Sequence, residues 1–289
     1  MLIRLGIGLF WLLHFLPLAV LDRIGTAAGL AFMVFGRERR EVARTNLALC
    51  FPGWDATRRE AVLRAHFRAL GRSFFDAGIV WWGSEERIRR IVRIEGHEHL
   101  RAQDGRRIIL LVPHFIGIEM EGLRMSMEFK GMALYSHQKN RVFDEFLVRV
   151  RSRFPGTRMI PRQKGVKSLL RGFKDGLVLQ ISPDLDLGPR DAIFVPFFGV
   201  QAATVTALSR FARLADAVVL PVVVQQLPGS RGYVMRAYPA WENYPGESLE
   251  ADTHRMNGFI EERIMEMPEQ YYWVHKRFKT RPEGEPRIY

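Results

Sequence analysis

RRIILLVPHFIGIEME, residues 106–121, is an apolar run that ends in a histidine, with a glutamate five positions further on. Ile108 to Val112 make a short stretch rich in β-branched residues, of the kind found in strands buried on both faces. Pro113 stops it. From Gly117 onward Ile118, Leu123, Met125 and Phe129 mix with Glu119, Glu121 and Glu128, a looser pattern that predicts a helix. His114 therefore falls at a strand-to-helix turn. On one continuous helix, positions five apart are separated by about 140° and cannot touch. With His114 before the helix and Glu119 in its first turn, the imidazole can instead fold back onto the carboxylate. In such a dyad Glu119 fixes the ring tautomer and leaves the other nitrogen to take a proton from a hydroxyl. The plainer alternative is a turn histidine followed by an ordinary acid at a helix start, and spacing alone does not separate the two.

Outward from this stretch, strand-like and helix-like segments alternate. Strands are expected near 91–95, 107–112, 132–136, 177–182, 217–225 and 232–238, and helices from about 117 and near 142–153, 165–174 and 203–214. The alternation predicts an α/β fold, a single domain with a mixed, largely parallel sheet flanked by helices. Ligands in such sheets collect at the carboxyl ends of strands, and both His114 and Asp184, just past LVLQIS, fall at such ends. Upstream, Thr57 and Glu60 form a capping box that opens a helix carrying Val62, Leu63, Phe67, Leu70 and Phe74 at helical spacing. Ser84 with Glu85 and Glu86 marks another helix start.

The amino-terminal segment differs in kind. Residues 5–21, LGIGLFWLLHFLPLAVL, are apolar apart from His14, and a second apolar run, IGTAAGLAFMVF, covers 24–35 after Asp22 and Arg23. The first run sits at the short end of the ~17 to 25 residues a bilayer span needs and contains Pro17; the second is shorter still. One tilted span with a flanking helix and a hairpin lying in one leaflet are both open. A secretory signal peptide competes, but no A-x-A-like site follows the first run, and Arg37, Arg39 and Arg40 fit a segment held on the cytoplasmic side. Residues 1–40 are thus read as an N-terminal membrane anchor and 41–289 as one domain. A net charge of +12 points to anionic partners: nucleic acid, phospholipid headgroups, a phosphorylated substrate or an acidic carrier protein. The single cysteine, Cys50, excludes an internal disulfide and any multi-cysteine zinc site.

Three further groupings carry chemistry. His97, Glu98 and His99 have metal-ligand character, but with no further ligand nearby they read as surface residues. Asp184 and Asp186 form a D-x-D pair, which suits either a divalent metal against a diphosphate or a hydrogen-bonded turn. The basic, aromatic tail YYWVHKRFKTRP, residues 271–282, suits a membrane interface beside the anchor better than nucleic acid.

Taken together and in order, several segments resemble the late acyltransferases of lipid A biosynthesis, the lauroyl and myristoyl transferases of the Gram-negative inner membrane. They are ARTNLALCFP at 43–52, HFIGIE at 114–119, Lys139 and Asn140 followed by Asp144, the arginines Arg151 and Arg153, SPDLDLGPR at 182–190, VPFFG at 195–199 and PEQYYWVHKRFKTRPEG at 268–284. Those enzymes lie within the lysophospholipid acyltransferase superfamily, marked by a histidine, four residues and an acid, here an HX4E motif. The resemblance runs over nearly the whole chain. It implies transfer of a fatty acyl chain from an acyl carrier protein, as co-substrate, to a hydroxyl of a phosphorylated lipid A precursor, with no cofactor and no metal. His114 would be the general base and Glu119 its partner. Arg151 matches a family active-site arginine, and Arg162, Asp184 and Asp186 match recurrent positions assigned to substrate binding. The resemblance also implies a catalytic domain on the cytoplasmic face of a bacterial inner membrane, among its phospholipids and without nucleic acid. The leucines of DLDLG, where relatives often carry polar or aromatic residues, and Arg141, where a proline is common, leave the substrate detail open. The same chemistry on a glycerophospholipid or another lipid hydroxyl is the nearest alternative. A metal-dependent glycosyltransferase using Asp184 and Asp186, or a membrane-bound scaffold without catalysis, are readings of other classes.

Overall fold

The computed structural model describes residues 2–289 apart from 104, 155, 163 and 164. Four helices come first: α1 (Leu2–Leu13), α2 (Leu18–Phe35), α3 (Arg37–Cys50) and α4 (Ala56–Trp82). After α5 (Glu85–Ile91) the alternation begins, with β1 (Val92–Glu95), α6 (His97–Arg101), β2 (Ile108–Leu111), α7 (Ile118–Met125), β3 (Gly131–Tyr135) and α8 (Arg141–Arg151). It continues with β4 (Arg158–Pro161), α9 (Gly165–Lys174), β5 (Val178–Ile181), β6 (Ala192–Phe197), β7 (Val200–Val205) and α10 (Ala207–Ala215). The chain closes with β8 (Val218–Gln226), β9 (Tyr233–Ala237), α11 (Leu249–Glu266) and a 3₁₀ turn at Pro268–Gln270.

Seven strands form one sheet in the order β1-β9-β8-β2-β5-β3-β4, and every neighbouring pair is parallel except β8 with β9. The fold is α/β with a mixed, mostly parallel sheet, as the alternation predicts. The reason β2 reads as an unbroken apolar run is now visible: it is central, between β8 and β5, and all four of its residues are buried. Three strands, β4, β6 and β7, lie outside those that the pattern predicts. RMIP at β4 ends in proline, which an edge strand tolerates readily, and β4 is the edge strand. Residues 203–205, expected within a helix, belong to β7, which pairs antiparallel with β6 in a separate hairpin; the helix α10 begins only at Ala207. The two-residue hairpin loop needs left-handed backbone at Phe198 and Gly199, with φ of 50° and 77°. Phe198 is held there by its N–H to Glu261 and by the Phe51 ring 5.0 Å away.

The helix starts are corrected in one place. The N-cap of α4 is Asp55, whose side chain accepts from the Arg58 N–H, and not Thr57, which lies inside the helix. Ser84 caps α5 as expected.

At the amino terminus Pro17 separates the helices, and Asp22 and Arg23 fall inside α2 instead of dividing two runs. Among the described residues, Leu18–Phe35 is the one helix long and apolar enough to cross a membrane, by length and composition. It lies along α4 through a face made of Leu21, Gly25 and Gly29. A side chain at Gly29 would collide with the Phe67 carbonyl, and one at Gly71 of α4 with the Gly25 carbonyl, so the two backbones approach as only glycine permits. Asp22 pairs with Arg72 across the same contact. The outward faces of α1 and α2 and the turn between them leave Leu5, Leu9, Trp11, Leu12, Phe15, Phe32, Val34 and Phe35 exposed, a large apolar band of the kind that marks membrane contact.

The aromatic tail is core, not interface. Tyr271, Trp273, Val274 and Phe278 are buried, and Arg277, 1% exposed, donates to the Ala203 carbonyl and Thr204 hydroxyl with Phe197 stacked on its guanidinium. Asn46 donates to the carbonyls of Trp273 and His275, both at 2.8 Å, which ties the ARTNLALCFP segment to the tail.

Candidate active site

β2 and β5 are adjacent and parallel, with Leu111 opposite Ile181, so the loops that follow them leave the sheet side by side. The Val112 N–H donates to the Ile181 carbonyl at 3.0 Å and extends that pairing one step beyond the strands. The first loop carries His114 and the second Asp184. Asp184 is fully buried; its Oδ2 accepts the His114 backbone N–H at 2.9 Å, and its Oδ1 lies 2.7 Å from His114 Nδ1. Burial works to raise the Asp184 pKa, but the His114 charge and the hydrogen bonds to His114 outweigh it and hold the carboxyl below its ordinary value. An ionised carboxylate only accepts, so Nδ1 carries the ring proton and, in the neutral imidazole, Nε2 is the bare, basic nitrogen. The imidazole is about one-quarter exposed, into the cavity described below.

The expected contact between His114 and Glu119 is not formed. Asp184 already occupies Nδ1, and the Glu119 carboxylate is gripped by both Nε and Nη2 of Arg151 at the end of α8. A guanidinium fork offers a carboxylate two charge-assisted donors in one plane, a stronger pairing than a single imidazole N–H. Arg151 and Glu119 therefore sit together, as a pair, on the cavity wall with His114.

The loop between β2 and α7 is pinned from behind by the tail. The Tyr272 N–H donates to the His114 carbonyl at 3.0 Å, the Ile116 N–H donates to the Gln270 carbonyl at 2.7 Å, and Phe115 bridges to Tyr271. Gly117 closes the loop with a φ of 102°, and a Cβ there would press on the Tyr233 ring, so glycine is required twice over.

His114, Glu119, Arg151 and Arg162 all line one cavity of about 1470 Å³. Its apolar wall includes Val166, Leu169, Leu187, Phe211 and Leu214, and its other arginines are Arg190, Arg210 and Arg213. The last two were not singled out by sequence reasoning. Their i,i+3 spacing on α10 puts them on one face, but nothing local says that this face meets the cavity. Asp186, expected among substrate-binding residues, is spent on the chain itself. It accepts from the Gly188 N–H at 2.9 Å and from the Thr280 N–H and hydroxyl at 2.6 and 2.8 Å, while its own N–H donates to His275 Nε2. Burial pushes His275 down to about 4, which keeps that nitrogen a neutral acceptor. Both carboxylates of the D-x-D pair are thus committed to protein donors. His97 faces Glu128, with Nε2 at 3.4 Å from its carboxylate.

Residues 1–280 match the family model described as bacterial lipid A biosynthesis acyltransferase. The chain is 35% identical over 288 residues to the lipid A biosynthesis lauroyltransferase of Escherichia coli K12, covering 99% of this chain and 94% of that one. It is 34% identical to the palmitoleoyltransferase of the same organism, over 98% and 93% of the two chains, and 30% identical to its myristoyltransferase, over 93% and 83%. Among solved structures, the 1-acyl-sn-glycerophosphate acyltransferase PlsC from Thermotoga maritima is similar over 84% of this chain and 98% of that one, at 14% identity and a TM-score of 0.40.

Proposed function

The chain belongs to the bacterial lipid A biosynthesis acyltransferase family, and from that premise we propose that it moves a fatty acyl chain from the thioester of an acyl carrier protein to a hydroxyl of a phosphorylated lipid A precursor. The glycosyltransferase and scaffold readings fall with membership of an acyltransferase family. The observation that carries the proposal is the His114–Asp184 pair, facing a cavity with an apolar wall and several arginines.

In this reading Nε2 of His114 removes the acceptor hydroxyl proton as its oxygen attacks the thioester carbonyl. Asp184 holds the tautomer and stabilises the imidazolium that forms. The tetrahedral oxyanion is met by Arg151, which Glu119 orients, and by backbone N–H groups at the start of α7. Collapse breaks the carbon–sulfur bond; the departing thiolate takes the proton from His114, and the new ester remains on the acceptor. Arg162, Arg190, Arg210 and Arg213 provide charge for the phosphates of the acceptor, and the apolar wall takes the acyl chain. The apolar band of α1 and α2 seats the protein on the cytoplasmic face of the inner membrane, where both the acceptor and its phospholipids are at hand.

The test is an acyl-transfer assay on the purified full chain that offers acyl carrier protein thioesters with either a phosphorylated lipid A precursor or a lysophospholipid as acceptor. Ester formation on the lipid A precursor alone is the expected result. Preference for the lysophospholipid would overturn the acceptor assignment.

A further inference from the structure

We propose that the outer face of α9 is the surface on which the acidic carrier protein docks to deliver its acyl chain. The inference rests on the carrier-protein donor put forward above and adds where that donor sits. The helix reads GVKSLLRGFK and contains no acidic residue. Lys167, Arg171 and Lys174 fall at i, i+4 and i+7, so the three cations lie within about 60° of one another around the axis and span roughly 10 Å along it. All three are exposed, and no carboxylate among the described residues pairs with any of them. Several exposed arginines elsewhere are neutralised locally, Arg44 by Glu41 and Glu60, Arg89 by Glu85 and Glu128, Arg141 by Glu145 and Arg236 by Glu95. The acid at the end of α9, Asp175, is turned to Arg158. The stripe is thus left with its full positive charge.

Its location fits a donor that carries its substrate on a flexible arm. Gly165, Val166 and Leu169 of the same helix line the cavity that holds His114, so a partner on the outer face sits at the rim through which the thioester must pass. A headgroup-binding helix would place apolar anchors next to its cations. In α9 Leu169 and Phe173 are buried in the core and the exposed Val166 lines the cavity, while the exposed apolar band of the protein is on α1 and α2. Complementary charge at the edge of an interface raises the encounter rate and makes it sensitive to salt, which suits a donor that must dock and leave in every turnover.

The experiment compares the full-length wild type with the K167E/R171E/K174E variant, using acyl carrier protein thioester and acyl-coenzyme A as alternative donors and the same lipid acceptor. We expect KM for the carrier-bound donor to rise about tenfold or more in the variant, with kcat within about twofold, and the wild-type loss of kcat/KM at high salt to flatten. Turnover of acyl-coenzyme A should be unchanged. An unchanged KM for the carrier, an equal loss with both donors, or a loss confined to binding of anionic phospholipid vesicles would each overturn the docking surface while leaving the donor assignment intact. A wild type that uses acyl-coenzyme A and refuses the carrier protein would instead remove the donor assignment, and this surface with it.

Discussion

In the proposed reaction His114 can act as a base only while its Nε2 is bare, and that condition is set by Asp184, seventy positions away in the chain. We expect His114→Ala to lower acyl transfer by ~10² to 10⁴-fold in a protein that still folds, and Asp184→Asn to cost a similar factor because an amide no longer selects the Nδ1–H tautomer. Glu119 contacts Arg151 and not the imidazole, so Glu119→Gln and Arg151→Gln should each cost less than His114→Ala, and the double variant little more than either single one. Steady-state kcat of the set is the measurement; Glu119→Gln as damaging as Asp184→Asn, with Arg151→Gln nearly silent, would place Glu119 on the base itself. A second residue-scale effect concerns Glu121, which is fully buried on α7 with a hydrogen bond from Gln180. Burial raises its pKa from 4.5 to about 8, with the hydrogen bond from Gln180 opposing, so the folded state holds a proton that the unfolded chain releases above 4.5. Its contribution to stability is whole below 4.5 and is lost as pH rises towards about 8. Glu121→Gln keeps the shape and the neutral form at every pH. The gain in Tm of this variant over wild type should therefore be larger at pH 8 than at pH 5.

Elements meet here through their smallest residues. α2 and α4 touch where Gly25, Gly29 and Gly71 leave room for backbone against backbone, and any side chain at Gly29 runs into the Phe67 carbonyl. Gly29→Leu should force the helices apart and destabilise the protein by ~3 kcal/mol, read as a shift in thermal or denaturant midpoint, whereas Gly6→Leu on α1, where nothing lies within 4 Å, should cost nothing and, by removing a helix-interior glycine, raise stability by up to ~1 kcal/mol. The same scale explains which elements the pattern revealed. β2 could be read from its apolar run because it is central and buried on both faces, while β4 and the β6–β7 hairpin escaped because their pairing depends on an edge position and on two left-handed residues at Phe198 and Gly199. No local composition signals either feature.

Over the whole molecule, the boundary that composition draws near residue 40 does not coincide with a gap in packing. Leu21 of α2 belongs to the same core cluster as Leu63 and Phe67 of α4, β2 and the tail. A chain lacking residues 1–35 should uncover the α4 face at Phe67 and Gly71 and fail to yield a stable soluble domain; a truncated protein with the thermal midpoint of the full chain would show that the amino-terminal helices are only an appendage. The sequence by itself determined the strand–turn–helix that presents His114, the α/β alternation, the apolar amino terminus and the excess of positive charge, because each is a property of neighbours along the chain. The partner of His114, the pairing of Glu119 with Arg151, the burial of the aromatic tail and the arginines of α10 on the cavity wall were decided by tertiary structure alone. Each depends on which strands and helices come to lie side by side, and a segment does not record in its own residues which distant segment packs against it.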